Sequence, residues 1–259
     1  DDGIYLERYL ERARHIEVQV LCDNYKHGIY LGERNCSIQR RHQKLVEEAP
    51  SPGMTEALRR EMGERGLKAV LAIGYRGVGT LEFLVDTSGA YYFMEMNTRL
   101  QVEHPVTEWV TGIDLVHQQL RVAANEHLQL KQDDVHLRGH AIEFRITAED
   151  TEHDFRPQAG EIVDYLPPGG PGVRVDSHLF TGYAVPPHYD SLLAKLIVWA
   201  PTREEAIARG QRALAEFVLT GITTTIPFHQ RLLETKQFKR GDTYTNFLAE
   251  EGKELVASH

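Results

Sequence analysis

The sequence predicts an α+β fold, with strands gathered into antiparallel hairpins and amphipathic helices set between them. Three observations predict it. Two runs alternate apolar and polar residues and fold back at turn residues, and three others repeat apolar residues at helical spacing. The third is bulk composition: 259 residues, 41% apolar and 26% charged, suffice for one large domain or two smaller ones.

Asp1-Asp2-Gly3 leads directly into the strand-like run Ile4-Tyr5-Leu6, which reads as a start in mid-domain. His15 to Leu21 alternates as H-I-E-V-Q-V-L, Asp23 to Gly28 supply turn residues, and Ile29-Tyr30-Leu31 resumes the pattern, so a hairpin is expected. From Thr55, residues Leu58, Met62, Leu67, Val70 and Leu71 recur at helical spacing, with Glu56 in the first turn and Gly74 where a stop belongs. A second hairpin covers 80–96, and a second helix begins near Asp114 and carries Leu115, Leu120, Val122 and Ala123. Lys131 to Arg138 is polar and aperiodic; a boundary there divides the chain into domains 1–137 and 138–259.

Past the boundary, Ala141 to Ile146, Glu161 to Tyr165 and Leu192 to Trp199 read as strands separated by Pro and Gly clusters such as Pro167-Pro168-Gly169-Gly170. Thr202 and Glu205 form a capping box, each side chain satisfying the other's orphan amide, ahead of Ile207, Ala213, Leu214, Phe217 and Val218; Gly221 closes that helix. Neither an internal repeat nor a low-complexity tract is present, which excludes repeat architectures.

The net charge of -9 sets nucleic acid and anionic membranes against a repulsive field, so neither is expected as a partner, and an anionic ligand must find a local basic site. Cys22 and Cys36 form no C-x-x-C pair and read as structural thiols of a reducing compartment, cytoplasmic or organelle matrix. No apolar run approaches a membrane span, and no signal peptide opens the sequence. His117, His127 and His178 show no metal-ligand spacing and take surface or core roles.

Chemistry concentrates in the second hairpin. With its turn centred between Ser88 and Gly89, Glu82 stands opposite Glu95, and Asn97 shares their face. A hard cation coordinated by both carboxylates and the Asn carbonyl would relieve their repulsion, and magnesium suits such an oxygen-only set. Alternatively both glutamates point into water. Directly afterwards, Glu95 to Pro105 packs acids, an Arg, a Gln and an Asn beside apolar Tyr91 to Met94. Arg99 can bind an oxyanion bidentately, Gln101 can hold its remaining oxygen, and Glu103 can act as a base.

The run Glu95-Met-Asn-Thr-Arg-Leu-Gln-Val-Glu-His-Pro-Val-Thr-Glu108 resembles the signature of biotin carboxylases, including those of acetyl-CoA, propionyl-CoA and pyruvate carboxylases. Arg14 to Val20, Glu33 to Lys44, Gly139 to Asp150 and Tyr189-Asp-Ser-Leu agree in order, and the resemblance spans roughly Tyr5 to Leu248. It implies most of an ATP-grasp catalytic lobe, an antiparallel sheet with helices, followed by a biotin carboxylase C-terminal domain. The implied reaction is ATP-dependent carboxylation of biotin by bicarbonate through carboxyphosphate, the first half-reaction of acetyl-CoA carboxylase in fatty acid synthesis.

On that resemblance, Glu82, Glu95 and Asn97 hold magnesium or manganese, and Glu7, Arg8 and Leu10, with Leu84, Met94 and Ile222, contact the adenine of ATP. Arg8 stands where the family more often has Lys. Gln39, His42 and Lys44, with His15 nearby, face phosphate and bicarbonate, although without the family this basic cluster reads as a solvated turn. Arg99, Gln101, Val102 and Glu103 form the bicarbonate pocket, with Glu103 as general base, and Arg145 stabilises the biotin enolate. Implied partners are a biotin carboxyl carrier protein, a carboxyltransferase and a second copy in a homodimer. The family's preceding Rossmann-like domain and Gly-rich lid are not recognised in this sequence, so activity of the chain alone is in question. The rival expectations are another ATP-grasp ligase, such as a carbamoyl-phosphate synthetase, or a non-catalytic fragment serving assembly or docking.

Overall fold

The computed structural model describes residues 3–4 and 6–256. In chain order, β1 (Ala13–Cys22), β2 (Gly28–Arg40) and β3 (Gln43–Ala49) precede α1 (Glu56–Ala72). A hairpin of β4 (Gly77–Asp86) and β5 (Tyr91–Asn97) leads to α2 (His104–Thr111), α3 (Leu115–Ala123) and β6 (His140–Thr147). Short pieces follow: β7 (Glu149–Asp150) with β8 (Arg156–Pro157), β9 (Gly160–Glu161), β10 (Tyr165–Leu166), the longer β11 (Val173–Ser177), and β12 (Ala184–Val185). Then come β13 (Leu192–Ala200), α4 (Arg203–Glu216), β14 (Val218–Leu219), α5 (Ile226–Glu234), α6 (Lys236–Arg240) and α7 (Phe247–Val256).

One antiparallel sheet of eight strands, ordered β11-β13-β6-β3-β2-β1-β4-β5, runs through both halves of the sequence. Its seam is the pairing of β3 with β6, so the sheet is continuous across the aperiodic stretch before Arg138. The α+β class follows directly. Helix α1 lies over β1 and β2, and its Met62 and Val70 share a core with Ile16, Val18 and Phe83. On the other half, α4 and α5 bury Ala213, Leu214 and Phe228 against Phe144, Leu196 and Val198. Because side chains alternate along a strand, the opposite face of β6 and β13 is free for α2, whose Val106 and Val110 rest on Ala49, Ala141 and Ile197.

Local sequence explains most boundaries. Thr55 caps α1 by accepting from Leu58 N, and Asp114 caps α3 by accepting from His117 N. The Thr202–Glu205 capping box forms with both bonds in place. Gly63 lies where α1 crosses Tyr30, and a Cβ there would come within 2.4 Å of the ring, so only Gly permits the approach.

Several expectations are corrected. Ile4 and Leu6 lie outside any strand and are exposed, and Tyr5 falls outside the described residues. Glu161 to Tyr165 is not one strand: β9 and β10 pair with different partners, β12 and β14. Helix α4 ends at Glu216 rather than near Gly221, because Phe217 turns extended and Val218 joins Leu219 in pairing with β10. Helix α2 was hidden by its charged, Pro-containing start, although Pro105 suits a first helical turn. No described helix is long and apolar enough to cross a membrane.

Candidate functional site

Strand pairing places the predicted metal residues together. Glu82 on β4 pairs with Glu95 on β5, and Thr80 pairs with Asn97. The hairpin reaches this register by a route different from the one expected: its turn bonds run from Gly89 and Ala90 to Asp86, Phe83 pairs with Phe93, and a bulge after Glu82 restores the Glu82–Glu95 partnership. Asn97 Nδ2 donates to Glu82 Oε1 at 2.8 Å and to Glu95 Oε1 at 3.2 Å, so three oxygen-bearing side chains converge. Exchanging the amide's O and N would present the carbonyl instead. The donor set fits a hard divalent cation.

Glu82 is also the hub of a buried network. It accepts from His15 Nε2 at 2.7 Å, Gln101 Nε2 at 2.7 Å and Lys44 Nζ at 3.2 Å. Burial alone would raise its pKa, but the His15 hydrogen bond and the Lys44 charge bring it down to about 2. Neighbouring Glu17, wholly buried, bonds Arg34 Nε at 3.1 Å and Nη2 at 3.0 Å, and it also contacts Lys44. Burial opposes its charge too, yet Arg34 and Lys44 hold its pKa below the ordinary value.

Lys44 and Gln39 are cross-strand partners in the β2–β3 hairpin. Its two-residue turn, Arg41-His42, has positive φ at both positions, 48° and 66°, the pattern that matches strand twist but that favours Asn and Gly. Two bulky residues in that conformation store strain beside the cleft. The basic cluster is therefore a strand pair with a rim turn, not a free loop. Lys44 Nζ donates to Glu103 Oε1 at 2.7 Å, and Arg145 Nη2 reaches Glu103 Oε2 at 3.0 Å. Burial works against both cations, but the surrounding carboxylates raise their pKa values, so both stay charged.

These side chains line a cleft of about 820 Å³. Arg8, Leu10, His15, Gln39, His42, Lys44, Glu82, Leu84, Met94, Glu95, Asn97, Arg99, Gln101, Val102, Glu103 and Arg145 all border it. Glu7 and Ile222 do not. Glu7 is exposed on the leading segment, and Ile222 packs against the core beside Gly160. Arg99 is exposed, and Leu100 O, at 3.4 Å, is a weak partner for its guanidinium.

Sequence reasoning assigned no role to Glu17, Arg34 or Glu47, although each contacts a predicted residue. Strand alternation could have placed Glu17 beside His15 on the face of Glu82, but nothing local pairs it with Arg34. Thr245 and Asn246 border the cleft from far along the chain, a position no sequence motif marks.

Residues 1–131 match the family model for the carbamoyl-phosphate synthase L chain, ATP binding domain, and residues 143–250 match that for the biotin carboxylase C-terminal domain. The chain is 61% identical over 251 residues to a biotin carboxylase of a Nostoc species, covering 97% of this chain and 56% of that protein. It is 58% identical over 247 residues to biotin carboxylase 1 of Bacillus subtilis, covering 95% and 55%. Among solved structures, the biotin carboxylase domain dimer of Hydrogenobacter thermophilus 2-oxoglutarate carboxylase, in complex with MgADP, ADP and bicarbonate, superposes with a TM-score of 0.95 at 48% identity. That match covers 98% of this chain and 56% of the other. The chain thus spans little more than half the length of each of these three relatives.

Proposed function

Because this chain belongs to the biotin carboxylase family, we propose that its cleft serves the ATP-dependent carboxylation of biotin by bicarbonate. The observation that carries the reading is Glu103, buried at the cleft wall between Lys44 and Arg145 with Arg99 and Gln101 beside it. One anion-binding Arg, two further cations and a buried acid gathered at one end of the cleft suit a small oxyanion and its deprotonation.

In this reading Arg99, Gln101 and the Val102 segment hold bicarbonate, and Glu103 removes its proton. The bicarbonate oxygen attacks the γ-phosphorus of ATP, giving carboxyphosphate and ADP. Carboxyphosphate breaks into CO2 and phosphate, and the phosphate takes the ureido N–H proton of biotin. Arg145 stabilises the resulting enolate oxygen while the nitrogen attacks CO2. Lys44, Gln39, His42 and His15 face the phosphates, and Arg8, Leu10, Leu84 and Met94 the adenine. Glu82, Glu95 and Asn97 would hold magnesium or manganese, which when bound neutralises phosphate oxygens.

The same reading takes a biotin carboxyl carrier protein and a carboxyltransferase as partners, acetyl-CoA as final acceptor, a homodimer as the assembly, and the cytoplasm or an organelle matrix as the site of action. It keeps 1–137 as part of an ATP-grasp unit and 138–259 as the C-terminal unit, joined by the shared sheet. The match of 143–250 weighs against a carbamoyl-phosphate synthetase. The test is bicarbonate-dependent ADP release with and without free biotin, run on this chain and on one extended upstream to the length of its relatives. Biotin-stimulated release in either supports the reading. Silence in both removes it and leaves assembly or docking as the role.

A further inference from the structure

Beneath Arg145 lies a pair of acids that the proposed reaction does not use. Glu47 on β3 stands directly opposite Glu143 on β6, and both side chains are wholly buried. They share the face covered by α2, since Ala49 and Ala141, two residues along each strand, pack with Val106 and Val110. Of the four carboxyl oxygens, Glu47 Oε1 accepts from Arg145 Nε at 2.6 Å. Glu47 Oε2 and both oxygens of Glu143 meet no donor among the described residues.

The charged groups facing the pair come from each neighbouring element: Arg145 on β6, Lys195 on β13, Lys44 on β3, and Glu103 leading into α2. The lysines are engaged elsewhere. Lys195 Nζ donates to Val102 O at 2.8 Å and lies 3.5 Å from Asp176, while Lys44 serves Glu17, Glu82 and Glu103. Two ionised carboxylates buried face to face with one donor between them repel, and such pairs settle by keeping one proton. Arg145 decides which acid keeps it. Burial raises both acids, Glu47 to about 7 even with the guanidinium resting on it, and Glu143, which burial and the Glu47 charge push well above the carboxylate range, further; of the two, Glu143 holds the proton more tightly.

We propose that Glu143 is a positioning residue for Arg145: as a neutral acid it donates its proton to the free oxygen of Glu47, and the pair's single charge fixes the guanidinium where it reaches Glu103. The functional meaning of this device rests on the reading of Arg145 as the residue that faces biotin. A second negative charge here would draw the guanidinium down from the cleft. An apolar residue would leave Glu47 Oε2 without a donor, and the carboxylate would be free to turn.

Two spectroscopic measurements on this chain test the idea, and neither requires turnover of ATP, so they stand apart from the activity assay. Infrared spectra at neutral pH are expected to contain a protonated-carboxyl band that shifts in deuterated water and is lost in Glu143→Gln. The Arg145 Nε–H resonance, identified by its loss in Arg145→Lys, is expected to exchange slowly in wild type. Glu143→Gln, whose amide still donates to Glu47, keeps that slow exchange. Glu143→Met, which cannot donate, exchanges about tenfold faster or more. The proposal is overturned if the band is absent, if the Gln variant exchanges as fast as the Met variant, or if the Met variant matches wild type. Should Glu143→Met fail to fold, the band and the Gln variant decide the matter.

Discussion

Lys44 Nζ sits 2.7 Å from Oε1 of Glu103, and Arg145 takes the other oxygen at 3.0 Å, so the acid proposed as base is held in place from both sides. Glu103→Gln preserves the size of the side chain and removes its basicity. Biotin-dependent ADP release is expected to fall by about 100- to 10,000-fold in kcat, with Mg-ATP affinity little changed. Steady-state kinetics with bicarbonate varied would check this; a loss confined to KM for ATP would contradict the assigned role.

Arg34 is wholly buried and donates to Glu17, Gln19, Thr80, Thr107 and Gln101. Arg34→Met leaves Glu17 as an under-compensated buried charge and is expected to cost about 3–5 kcal/mol in urea unfolding. Pairing it with Glu17→Gln should recover part of that loss, because the two sites are coupled.

Acid sensitivity should arrive in two windows. His229, buried and donating from Nε2 to Arg145 O at 2.8 Å, has its pKa pushed by burial from 6.5 down to about 4. Between those values the unfolded chain binds the proton more readily than the native one, so stability falls as pH drops, by about 3 kcal/mol in full. Glu82, brought from 4.5 to about 2 against its burial by His15 and Lys44, contributes stability that is complete above pH 4.5. That contribution is lost as pH falls toward 2. In unfolding titrations His229→Gln should flatten the upper window and Glu82→Gln the lower one.

Gly63→Ala would drive its Cβ into the Tyr30 ring at 2.4 Å. A destabilisation of about 1–3 kcal/mol is expected by thermal or urea unfolding, with the cleft network intact. Tyr30→Ala in the same chain should shrink that increment by removing the obstacle.

What could be read in advance was what depends on local period. Alternation in β4 and β5 put Glu82 opposite Glu95 correctly even though the turn was misplaced, because the bulge after Glu82 offsets the error. Capping chemistry likewise marked Thr202, and apolar period placed helix starts at Thr55 and near Asp114, which the structure shows as the caps. The buried network escaped because its bonds join distant strands: Arg34 and Gln101 meet only when β2 and the α2 approach are folded together. Helices α5 to α7 and the cleft-bordering Thr245 and Asn246 carried no signal strong enough to place them.

The seam between β3 and β6 joins Val46 to Phe144, residues about 100 positions apart. A nascent chain therefore displays Lys44, Glu82 and Glu103 well before Arg145 has left the ribosome, and Arg145 takes its place only when the sheet is zipped across that seam. The order of synthesis thus separates the residues proposed to activate bicarbonate from the residue proposed to hand the carboxyl group on. An unfinished chain has the first set without the second.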